Sequence, residues 1–570
     1  MQSATLALAF AFALGVVAGP AMGAGPTVGP EQQAGAGIAA TPATDPASKA
    51  EPHIVEVYPN PTTEGDDGEF VTLWVPRGTD LDEYALADDH VSVSLPSLSN
   101  VSSASSDPPP SGSLPDRGQT VTFSTAPNAT ASLVDGPVYP LSDRLRLANG
   151  GDSLHLLRNG TVVDELRYER ATETAVYDAR NSTWRALGAT DLPVVTDGGG
   201  TVEAFVLPDE PDRAVELLRE ATERILLAGY TFSSRRIVDE LLAAHDRGVH
   251  VEVLVDGSPV GGMSGHAAAA LDELDRAGVT VRVLGGERAR YRYHHAKYAV
   301  VDGRALVTTE NWNAAGLGGK SSRGWAVVTD QARIVEGLVE TYRADTGWVD
   351  AIPWSEYDDV ALVDDDPAEG SHPSAFDAEV LPVERTRLLV APDNAEGAIL
   401  DAIESAEVSL ALKQVRIGDR AFPLLQAVLD AAARGVDVRI LLSGEWYVQE
   451  ENEQLKAWLD EQASAEELSL QVRIADPDDE FEKIHAKGLV VDGETTLVGS
   501  INWNNNSVRS NREVALLLEG EEVASYFEAG FDSDWADDGS RTLPLGYVAV
   551  CLLGAAVAVV VAMQLRFEER

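Results

Sequence analysis

The feature that most constrains this chain is a motif that occurs twice, far apart in the sequence. His295 to Asn313 reads HAKYAVVDGRALVTTENWN, and His485 to Asn504 reads HAKGLVVDGETTLVGSINWN. Each copy has a His, a Lys two residues later and an Asp after four more, the spacing H-x-K-x4-D. One H-x-K occurs by chance in many proteins, whereas two copies that both continue into VVDG, an apolar run and NWN indicate an internal duplication.

Each copy predicts a β-hairpin that presents basic side chains. The apolar residues after the Lys fit a buried strand, Asp-Gly fits the turn, and the next apolar run fits the returning strand. Because residues i and i+2 share one face of a strand, the His and Lys of each copy are expected to point the same way. An imidazole beside an ammonium suits a phosphate: one group attacks or shuttles protons while the other neutralises oxygen charge.

The sequence around the motifs is duplicated as well, with RGVHVEVLVDG at 247–257 and RGVDVRILLSG at 434–444. Strands alternate with amphipathic helices in both regions, which predicts two α/β halves, each one sheet flanked by helices. Two halves that face each other would bring the two H-x-K segments to a shared cleft. The predicted helices are 211–224, 235–247, 395–405 and 422–434, and the predicted strands before the motifs include 204–207, 225–230 and 388–390.

This pattern resembles the phospholipase D superfamily, whose signature is a duplicated HxKx4D with a trailing Gly-Ser and Asn. The resemblance runs from near Thr201 to near Trp535. It implies that one His attacks phosphorus to form a phosphohistidine, while the other protonates the leaving oxygen and then activates water or an alcohol. It also implies that neither a metal ion nor another cofactor is needed, in keeping with the absence of a clustered Asp/His ligand set from the sequence.

The resemblance also assigns site residues. The residues expected to be catalytic are His295, Lys297, Asp302, His485, Lys487 and Asp492, although the two Asp residues stand at Asp-Gly turns, which favours a structural role for them. The residues expected to bind substrate, some of them by holding phosphoryl oxygens, are Thr309, Asn311, Asn313, Ser500, Asn502, Asn504 and Glu513. Which histidine is the nucleophile stays open, and His294 is interpreted as a bystander, with substitution for its neighbour as the alternative.

The two copies are unequal in a way that bears on the chemistry. The second copy is complete, and Glu513 is the carboxylate expected to orient His485. The first copy has Thr308-Thr309-Glu310 where the second has Gly499-Ser500-Ile501, and Gly324-Trp325 where the second has Glu513-Val514. His295 therefore lacks an evident orienting carboxylate, unless Glu310 serves.

Short strands and turns predict an all-β sandwich at 52–170, including a hairpin about Asn159-Gly160. The segment resembles the lamin-tail domain in four stretches, which are VYPNP at 57–61, GEFVTL at 68–73, DLDEYALAD at 80–88 and LANGGDSLHLL at 147–157. The rest of the predicted organisation is a signal peptide at 1–24, a linker at 25–51, phospholipase D-like halves at 196–345 and 384–537, an acidic linker at 346–383 and a transmembrane helix at 545–565.

The two chain ends predict a single-pass membrane protein. Residues 545–563 carry no charge and are long enough to span a bilayer, and Arg566 and Arg570 favour a cytoplasmic C-terminus. With a cleaved signal peptide the body would lie outside the cell. The alternatives are a buried N-terminal helix and a C-terminal core helix.

Composition bears on solvent and partners. The net charge is −49, and seven of the 43 basic residues are Lys. Such a chain repels itself in dilute buffer, and salt screens that repulsion, which favours a halophile's protein, from a haloarchaeon, over an ordinary acidic surface. The single cysteine, Cys551, excludes an intrachain disulfide and a Cys-based metal site.

Three functions are compatible with these features. The first is a phosphodiesterase acting on phospholipid head groups, as a monomeric unit with two pseudo-symmetric halves. The second is a nuclease of the same superfamily, which is less favoured because nucleic acid binding calls for a basic face. The third is a non-catalytic cell-surface binding protein whose working part is the sandwich.

Overall fold

The computed structural model describes residues 51–536 except 62–67, 89, 98–117, 132, 135, 144, 146, 359–360, 365–367, 369, 371, 373 and 476–480. The predicted signal peptide, the linker up to residue 50 and the predicted C-terminal span lie outside the described residues. Within the described ranges, no helix combines the length and the apolar character needed to cross a bilayer.

The N-terminal part consists of two β-sheets that share one core. One sheet has the order β10-β9-β1-β2-β5-β6 and the other has the order β4-β3-β7-β8. Leu73 and Phe123 from the first sheet pack with Leu86 and Leu156 from the second, and all four are fully buried. The elements are β1 His53–Tyr58, β2 Phe70–Pro76, β3 Tyr84–Ala87, β4 Ser92–Ser94, β5 Gly118–Ser124, α1 Pro127–Thr130, β6 Val138–Pro140, β7 Asp152–Arg158, β8 Thr161–Tyr168, β9 Ala175–Asp178 and β10 Thr183–Ala186, with a 3-10 turn at Leu81–Glu83.

The sandwich extends beyond its predicted end near Arg170. Strand β9 pairs with β1, placing Tyr177 opposite Val57, and β10 then pairs with β9 to complete the sheet edge up to Ala186. These two strands have only four residues each, which is too short for a clear alternation of apolar and polar side chains. The predicted hairpin at Asn159-Gly160 is confirmed, since both residues have positive φ between β7 and β8.

The first α/β half begins with a long strand and ends with a long helix. Its parallel strands β12, β13 and β15 lie beside the antiparallel run β16-β17-β18-β11. The elements are β11 Val195–Leu207, α2 Arg213–Arg219, β12 Arg224–Gly229, α3 Arg235–Asp246, β13 His250–Asp256, β14 Met263–Ser264, α4 Gly265–Ala277, β15 Thr280–Leu284, β16 Tyr298–Val301, β17 Arg304–Thr308, β18 Ser322–Thr329 and α5 Ala332–Thr346.

The second half repeats this order. After β19 Ala351–Pro353, a 3-10 turn at Trp354–Glu356 and β20 Leu362–Val363, its elements are β21 Glu379–Ala391, α6 Ala395–Glu404, β22 Ser409–Gln414, α7 Pro423–Ala433, β23 Asp437–Leu442, α8 Gln449–Glu466, β24 Leu470–Ile474, β25 Lys483–Ile484, β26 Gly488–Val491, β27 Thr495–Gly499, α9 Asn505–Arg509, β28 Glu513–Glu519 and α10 Glu521–Ala536. Part of the predicted acidic linker is therefore ordered, because β19 adds to the sheet edge beside β15.

The two halves are joined through one continuous sheet and do not form two separate sheets. Strands β11 and β21 pair antiparallel over a long stretch, with Thr201 opposite Pro382 and Val195 opposite Leu388. Both strands have 13 residues, so each can pair with its own half on one side and with the other half on the opposite side. The prediction of two facing sheets was wrong, although the two motif segments that it placed together do meet at this seam, each bonded to the opposite half.

Helices cover both faces of the joined sheet. Helices α2, α3 and α4 pack on one face of the first half, and α6, α7 and α8 pack on the second half. Helices α5 and α10 cover the other face in one core that spans both halves, where Leu338 and Phe527 are fully buried. Residues 195–536, where described, therefore form a three-layer α/β body with the sheet in the middle. The ends of the central strands carry the residues of the site.

Candidate active site

Both predicted hairpins are present. Strands β16 and β17, and β26 and β27, meet at Asp302-Gly303 and Asp492-Gly493, and both Asp residues have φ near +55°. The His and Lys of each motif lie just before the first strand of its hairpin. Each Lys side chain is buried and donates from Nζ to the carbonyl oxygen of its own motif His, at 2.7 Å in the first half and 2.6 Å in the second.

Each motif segment is held by the opposite half. The backbone N–H of His295 donates to the carbonyl oxygen of Arg512 at 2.9 Å, and that of His485 donates to Arg323 at 3.0 Å. Both arginines are buried in ion pairs, Arg512 with Asp345 and Arg323 with Asp534, each at 2.9 Å. The site is therefore built across the seam between the halves, and neither half alone contains all of it.

Glu513 orients His295, and its predicted pairing with His485 was wrong. The Nδ1 atom of His295 lies 2.7 Å from Oε2 of Glu513, which is fully buried. The other carboxylate oxygen accepts from the Ser507 hydroxyl and from Asn511 Nδ2. Glu513 follows His485 closely in the sequence, which suggested that these two residues pair. In the fold, strand β28 carries Glu513 to the motif of the other half.

Glu310 provides the carboxylate for His485. Its Oε2 atom lies 3.3 Å from Nδ1 of His485, a longer contact than the one between Glu513 and His295. The Glu310 side chain occupies the space above Gly324, where an added Cβ would lie 2.2 Å from Oε1. Gly324 and Glu513 are equivalent positions of the two halves. Gly324 pairs with Leu207, Glu513 pairs with Ala391, and a Pro-Asp pair follows each of those partners.

The electrostatics show that the two histidines share one environment. Burial lowers the pKa of His295 to about 4, with Glu513 opposing and both site lysines adding to the decrease. Burial lowers the pKa of His485 to about 3, with Lys487 and Lys297 adding to the decrease and Glu310 opposing. Each Lys thus acts on the His of the other half, and both imidazoles are neutral in the free site at pH 7.

The two carboxylates stay ionised although they are buried. Burial alone would raise the pKa of Glu513, but His295 and Lys297 offset it, so the net shift is downward. For Glu310, His485 and Lys487 likewise outweigh burial and lower the pKa. The Glu513 carboxylate accepts from Nδ1–H of His295, and the Glu310 carboxylate lies 3.3 Å from Nδ1 of His485 as a charge contact. Both contacts are at Nδ1, which leaves Nε2 of each histidine free for chemistry.

Catalytic efficiency is expected to decline above about pH 8. Burial lowers the pKa of Lys487 to about 8, with Glu310 and Glu513 opposing, and burial also lowers the pKa of Lys297. As pH rises through this value the Lys487 ammonium becomes neutral, and its attraction for an anionic substrate is lost. A kcat/KM profile between pH 5 and 10 on a phosphodiester of constant charge checks this, and a flat profile up to pH 10 contradicts it.

Asp302 and Asp492 do not reach the site, so their assignment as catalytic was wrong. Asp302 accepts from the backbone N–H groups of Thr222, Glu223 and Arg224. Asp492 does the same for residues 407, 408 and 409 in the second half. Each Asp ties its hairpin turn to the start of the neighbouring parallel strand, as their position at Asp-Gly turns suggested.

The variant Asp492→Ala is expected to lower the free energy of unfolding by about 2 kcal/mol, because three N–H groups lose a charged acceptor. Its kcat should stay within a few-fold of the wild-type value. Chemical denaturation and steady-state kinetics measure the two effects. Asp492→Asn is the matched control, since Asn keeps one acceptor oxygen and tolerates positive φ. A large loss of kcat at unchanged stability would contradict the structural role.

Six of the seven predicted substrate-binding residues fall into three equivalent pairs, and the seventh, Glu513, contacts His295. Asn504 Oδ1 accepts from Ser507 N at the start of α9, and Asn313 Oδ1 accepts from Gly316 N, so both residues cap local turns. Their role in substrate binding stays a prediction. The side chains of Asn311 and Asn502 are half-buried and remain proposals as phosphoryl ligands. Thr309 and Ser500 stand at equivalent places, each accepting at its hydroxyl from the next strand's backbone, from Trp325 N and Val514 N respectively.

Several functional residues were missed by sequence reasoning. Tyr230 packs edge-on against His295 at 4.6 Å between ring centroids, and its ring lies 5.2 Å from Lys297 Nζ. Arg323 and Arg512 were also missed, although each directly precedes one of the equivalent residues Gly324 and Glu513, a signal within the duplication. His294 is buried with Nε2 3.4 Å from Asp345 Oδ2, which supports its interpretation as a bystander.

The fold and the paired His-Lys-carboxylate sets define an enzyme of the phospholipase D type, a phosphodiesterase or phosphatidyl transferase. Residues 214–345 and 399–535 match the family model described as "Cardiolipin synthase, PLD-like domain", and each of the two matched segments contains one of the motifs.

Individual relatives are distant. Cardiolipin synthase A of Yersinia pseudotuberculosis is 26% identical over 369 residues, which cover 60% of this chain and 67% of the relative. The crystal structure of phosphatidylserine synthase from Haemophilus influenzae is similar with a TM-score of 0.46 and 18% identity, over 59% of this chain and 86% of that one. The phospholipase D family member Nuc from Salmonella typhimurium has a TM-score of 0.23 and 20% identity, over 27% of this chain and 94% of that one.

Proposed function

We propose that this enzyme acts on phospholipids, exchanging or releasing the head group of a phosphatidyl lipid through a covalent phosphohistidine and without a metal ion. The observation that carries the proposal is the pair of imidazoles, each with a buried carboxylate at Nδ1 and each influenced by both site lysines. The phospholipid substrate is supported by the sequence similarity to a cardiolipin synthase.

We assign the nucleophile to His295. A nucleophilic ring must be held in one orientation, and the 2.7 Å contact with Glu513 does this, because Glu513 is itself fixed by Ser507 and Asn511. A general acid–base must serve the leaving oxygen first and the incoming oxygen later. The longer 3.3 Å contact between His485 and Glu310 allows that freedom.

The reaction then follows in two balanced steps. In the first, the lone pair on Nε2 of His295 forms a bond to phosphorus as the P–O bond to the leaving group breaks, and the leaving oxygen takes the proton from protonated His485. In the second, neutral His485 takes a proton from water or an alcohol as that oxygen attacks phosphorus, and the N–P bond breaks with its electron pair returning to His295.

Substrate binding supplies the protonation state that the first step needs. In the free site burial and the two lysines keep the pKa of His485 low. A bound phosphodiester adds a negative charge next to this imidazole, which raises its pKa and allows it to carry a proton. Lys297 and Lys487 supply the positive charge that holds the phosphoryl oxygens, so we expect activity to survive treatment with a chelator.

Turnover assays test the proposal. The full chain, in molar KCl because of its net charge of −49, would be offered phosphatidylglycerol vesicles, a soluble aryl phosphodiester and plasmid DNA. Phosphatidic acid or a new phosphatidyl lipid, absent with His295→Ala, supports the proposal, and adding glycerol separates transfer from hydrolysis. DNA nicking without lipid turnover would establish the nuclease alternative instead. Turnover of no substrate would favour a non-catalytic binding protein.

Three finer predictions remain alongside this function. The predicted span at 545–565 would tether the body to a membrane with the site outside the cell, which protease accessibility on intact cells would test. Halophilic behaviour is predicted from composition and would show as stability rising with salt. The lamin-tail-like character of the sandwich is a further prediction, and its ligand is open.

A further inference from the structure

Exposed apolar side chains concentrate at two loops beside the catalytic residues. Of the ten large hydrophobic residues that are most exposed in the described chain, five are Val260, Leu362, Val363, Trp446 and Tyr447. The first three belong to the loop after β13 and the small sheet next to it, and the last two belong to the loop after β23. Because β13 and β23 are equivalent strands of the two halves, the apolar residues occur at corresponding places on both sides.

The first loop is tied directly to the His295 side of the site. It begins at Asp256, which accepts from the backbone N–H of His294 at 2.6 Å. The N–H of Val260 donates to the hydroxyl of Tyr230, the ring that packs on His295. The Val260 side chain is nevertheless 72% exposed, and Leu362 in the strand paired with β14 is 59% exposed.

The second loop approaches the His485 side. Tyr447 is 45% exposed, and partial burial raises its pKa, as do Glu445 and Glu310. Its hydroxyl therefore lies within electrostatic reach of the carboxylate that contacts His485. Trp446 packs edge-on against Tyr447 at 5.7 Å but is itself 84% exposed, the highest value in this group. Tryptophan and tyrosine have an apolar body and a polar atom, the combination that is enriched where lipid meets water.

Two cations stand close to the motif histidines along the chain. Arg292, three residues before His295, and Lys483, two before His485, form no salt bridge with any residue that the structure describes. Burial raises the pKa of Glu310, and Lys483 adds to the larger effects of His485 and Lys487 that outweigh it. Burial lowers the pKa of Lys487, and Lys483 adds a smaller decrease. In a chain with a net charge of −49, positive charge beside an apolar rim fits a layer of anionic phosphates above hydrocarbon.

We propose that the loops at 257–262 and 443–448, with Leu362 and Val363, form an interfacial rim that rests on a phospholipid bilayer, with Trp446 entering the head-group layer. The rim would hold the site against the plane in which the phosphodiesters lie, so that a lipid need only rise a short distance to reach His295. The inference rests on the proposed function, because the rim would serve a phospholipid substrate. The contact with a bilayer is testable separately.

The first test reads bilayer contact without turnover. The full chain is reconstituted in phosphatidylglycerol vesicles that contain brominated phospholipid, and quenching of tryptophan fluorescence is compared for wild type and Trp446→Phe. The difference between the two signals isolates Trp446 from the other nine tryptophans. We expect the brominated lipid to quench that difference signal. A difference signal equal to the one measured in detergent without lipid would overturn the rim. Quenching by single-stranded DNA but not by brominated lipid would show that Trp446 stacks on bases and would also overturn it.

The second test separates the rim from the chemistry. Trp446→Ala is expected to raise KM for lipid in vesicles about tenfold, with kcat/KM on a monomeric short-chain phospholipid unchanged within twofold. Val260→Trp should lower the vesicle KM, while Val408→Trp should not. Val408 is the matched control, because it is 67% exposed but lies at the start of β22, the strand end away from the site.

The outcomes distinguish the two proposals. Equal losses on both substrates, or no loss on vesicles, would overturn the rim while leaving the phospholipid activity established. If the wild type turned over no phospholipid at all, the proposed function would fall, and the quenching result alone would decide whether the rim contacts a bilayer.

Discussion

Replacing His485 with alanine is expected to trap a phosphatidyl group on His295 when the substrate is phosphatidyl-p-nitrophenol. The p-nitrophenolate leaves without a proton, so the first step needs little help from a general acid. The second step needs a base to activate water, and that base is absent. We therefore expect a burst of one equivalent of p-nitrophenolate, followed by turnover at about 10⁻² to 10⁻⁴ of the wild-type rate.

His295→Ala is the matched variant and should show no burst. Removing a covalent nucleophile lowers kcat by about 10⁴-fold or more, whatever the leaving group. Rapid-quench kinetics would measure the burst, and intact-protein mass spectrometry would detect the adduct, which should map to a peptide that contains His295. An adduct on His485 in the His295→Ala variant would reverse the assignment, and the carboxylate at 3.3 Å would then serve the nucleophile.

The second large effect concerns the unequal carboxylates. Glu310→Ile should lower kcat about 10²-fold, since His485 loses the group that fixes its tautomer. Gly324→Ala should do the same without removing any functional group, because a Cβ there would lie 2.2 Å from Oε1 and 2.3 Å from Cγ of Glu310. The double variant Glu310→Ile with Gly324→Glu gives the first half the arrangement of the second. We expect it to recover to within tenfold of wild type.

The reciprocal exchange is the control that the duplication provides. Ile501→Glu with Glu513→Gly gives the second half the arrangement of the first, and it should likewise be more active than either of its single variants. Steady-state kinetics on the wild type, the four single variants and the two double variants, with melting temperatures to confirm folding, gives two double-mutant cycles. If the effects of the single changes simply multiply in both cycles, the two positions are not alternative places for one carboxylate.

Much of this architecture could be predicted from local sequence. Apolar strand residues followed by Asp-Gly specify a tight turn wherever they occur, and both motif hairpins formed as predicted. The helix predicted at 235–247 is present as Arg235–Asp246, because its apolar residues recur on one face and Gly248 ends it. The duplication then made the motif residues the natural candidates for the site.

What could not be predicted depends on contacts between distant segments. The pairing of Glu513 with His295 requires β28 to face the other half, and nothing within either copy encodes that direction. Asn313 and Asn504 cap local turns, but the sequence does not distinguish a capping Asn from one that binds phosphate. Both roles place a side-chain amide near a turn. The seam between β11 and β21 was missed because a strand that pairs on both sides has no distinct local pattern.

The crossed assembly makes this enzyme a candidate for complementation. His295 and Glu513 contact each other but belong to different halves, so a chain that lacks His295 and a chain that lacks Glu513 each keep the half that the other has lost. An exchange of halves between two such chains would restore the pair in one pocket. His295 and Glu310 lie in the same half, so no exchange of halves repairs that combination of lesions. Any exchange also requires the seam between β11 and β21 to open. Because β11 and β21 pair over a long stretch, two damaged chains that are already folded should not restore each other's activity.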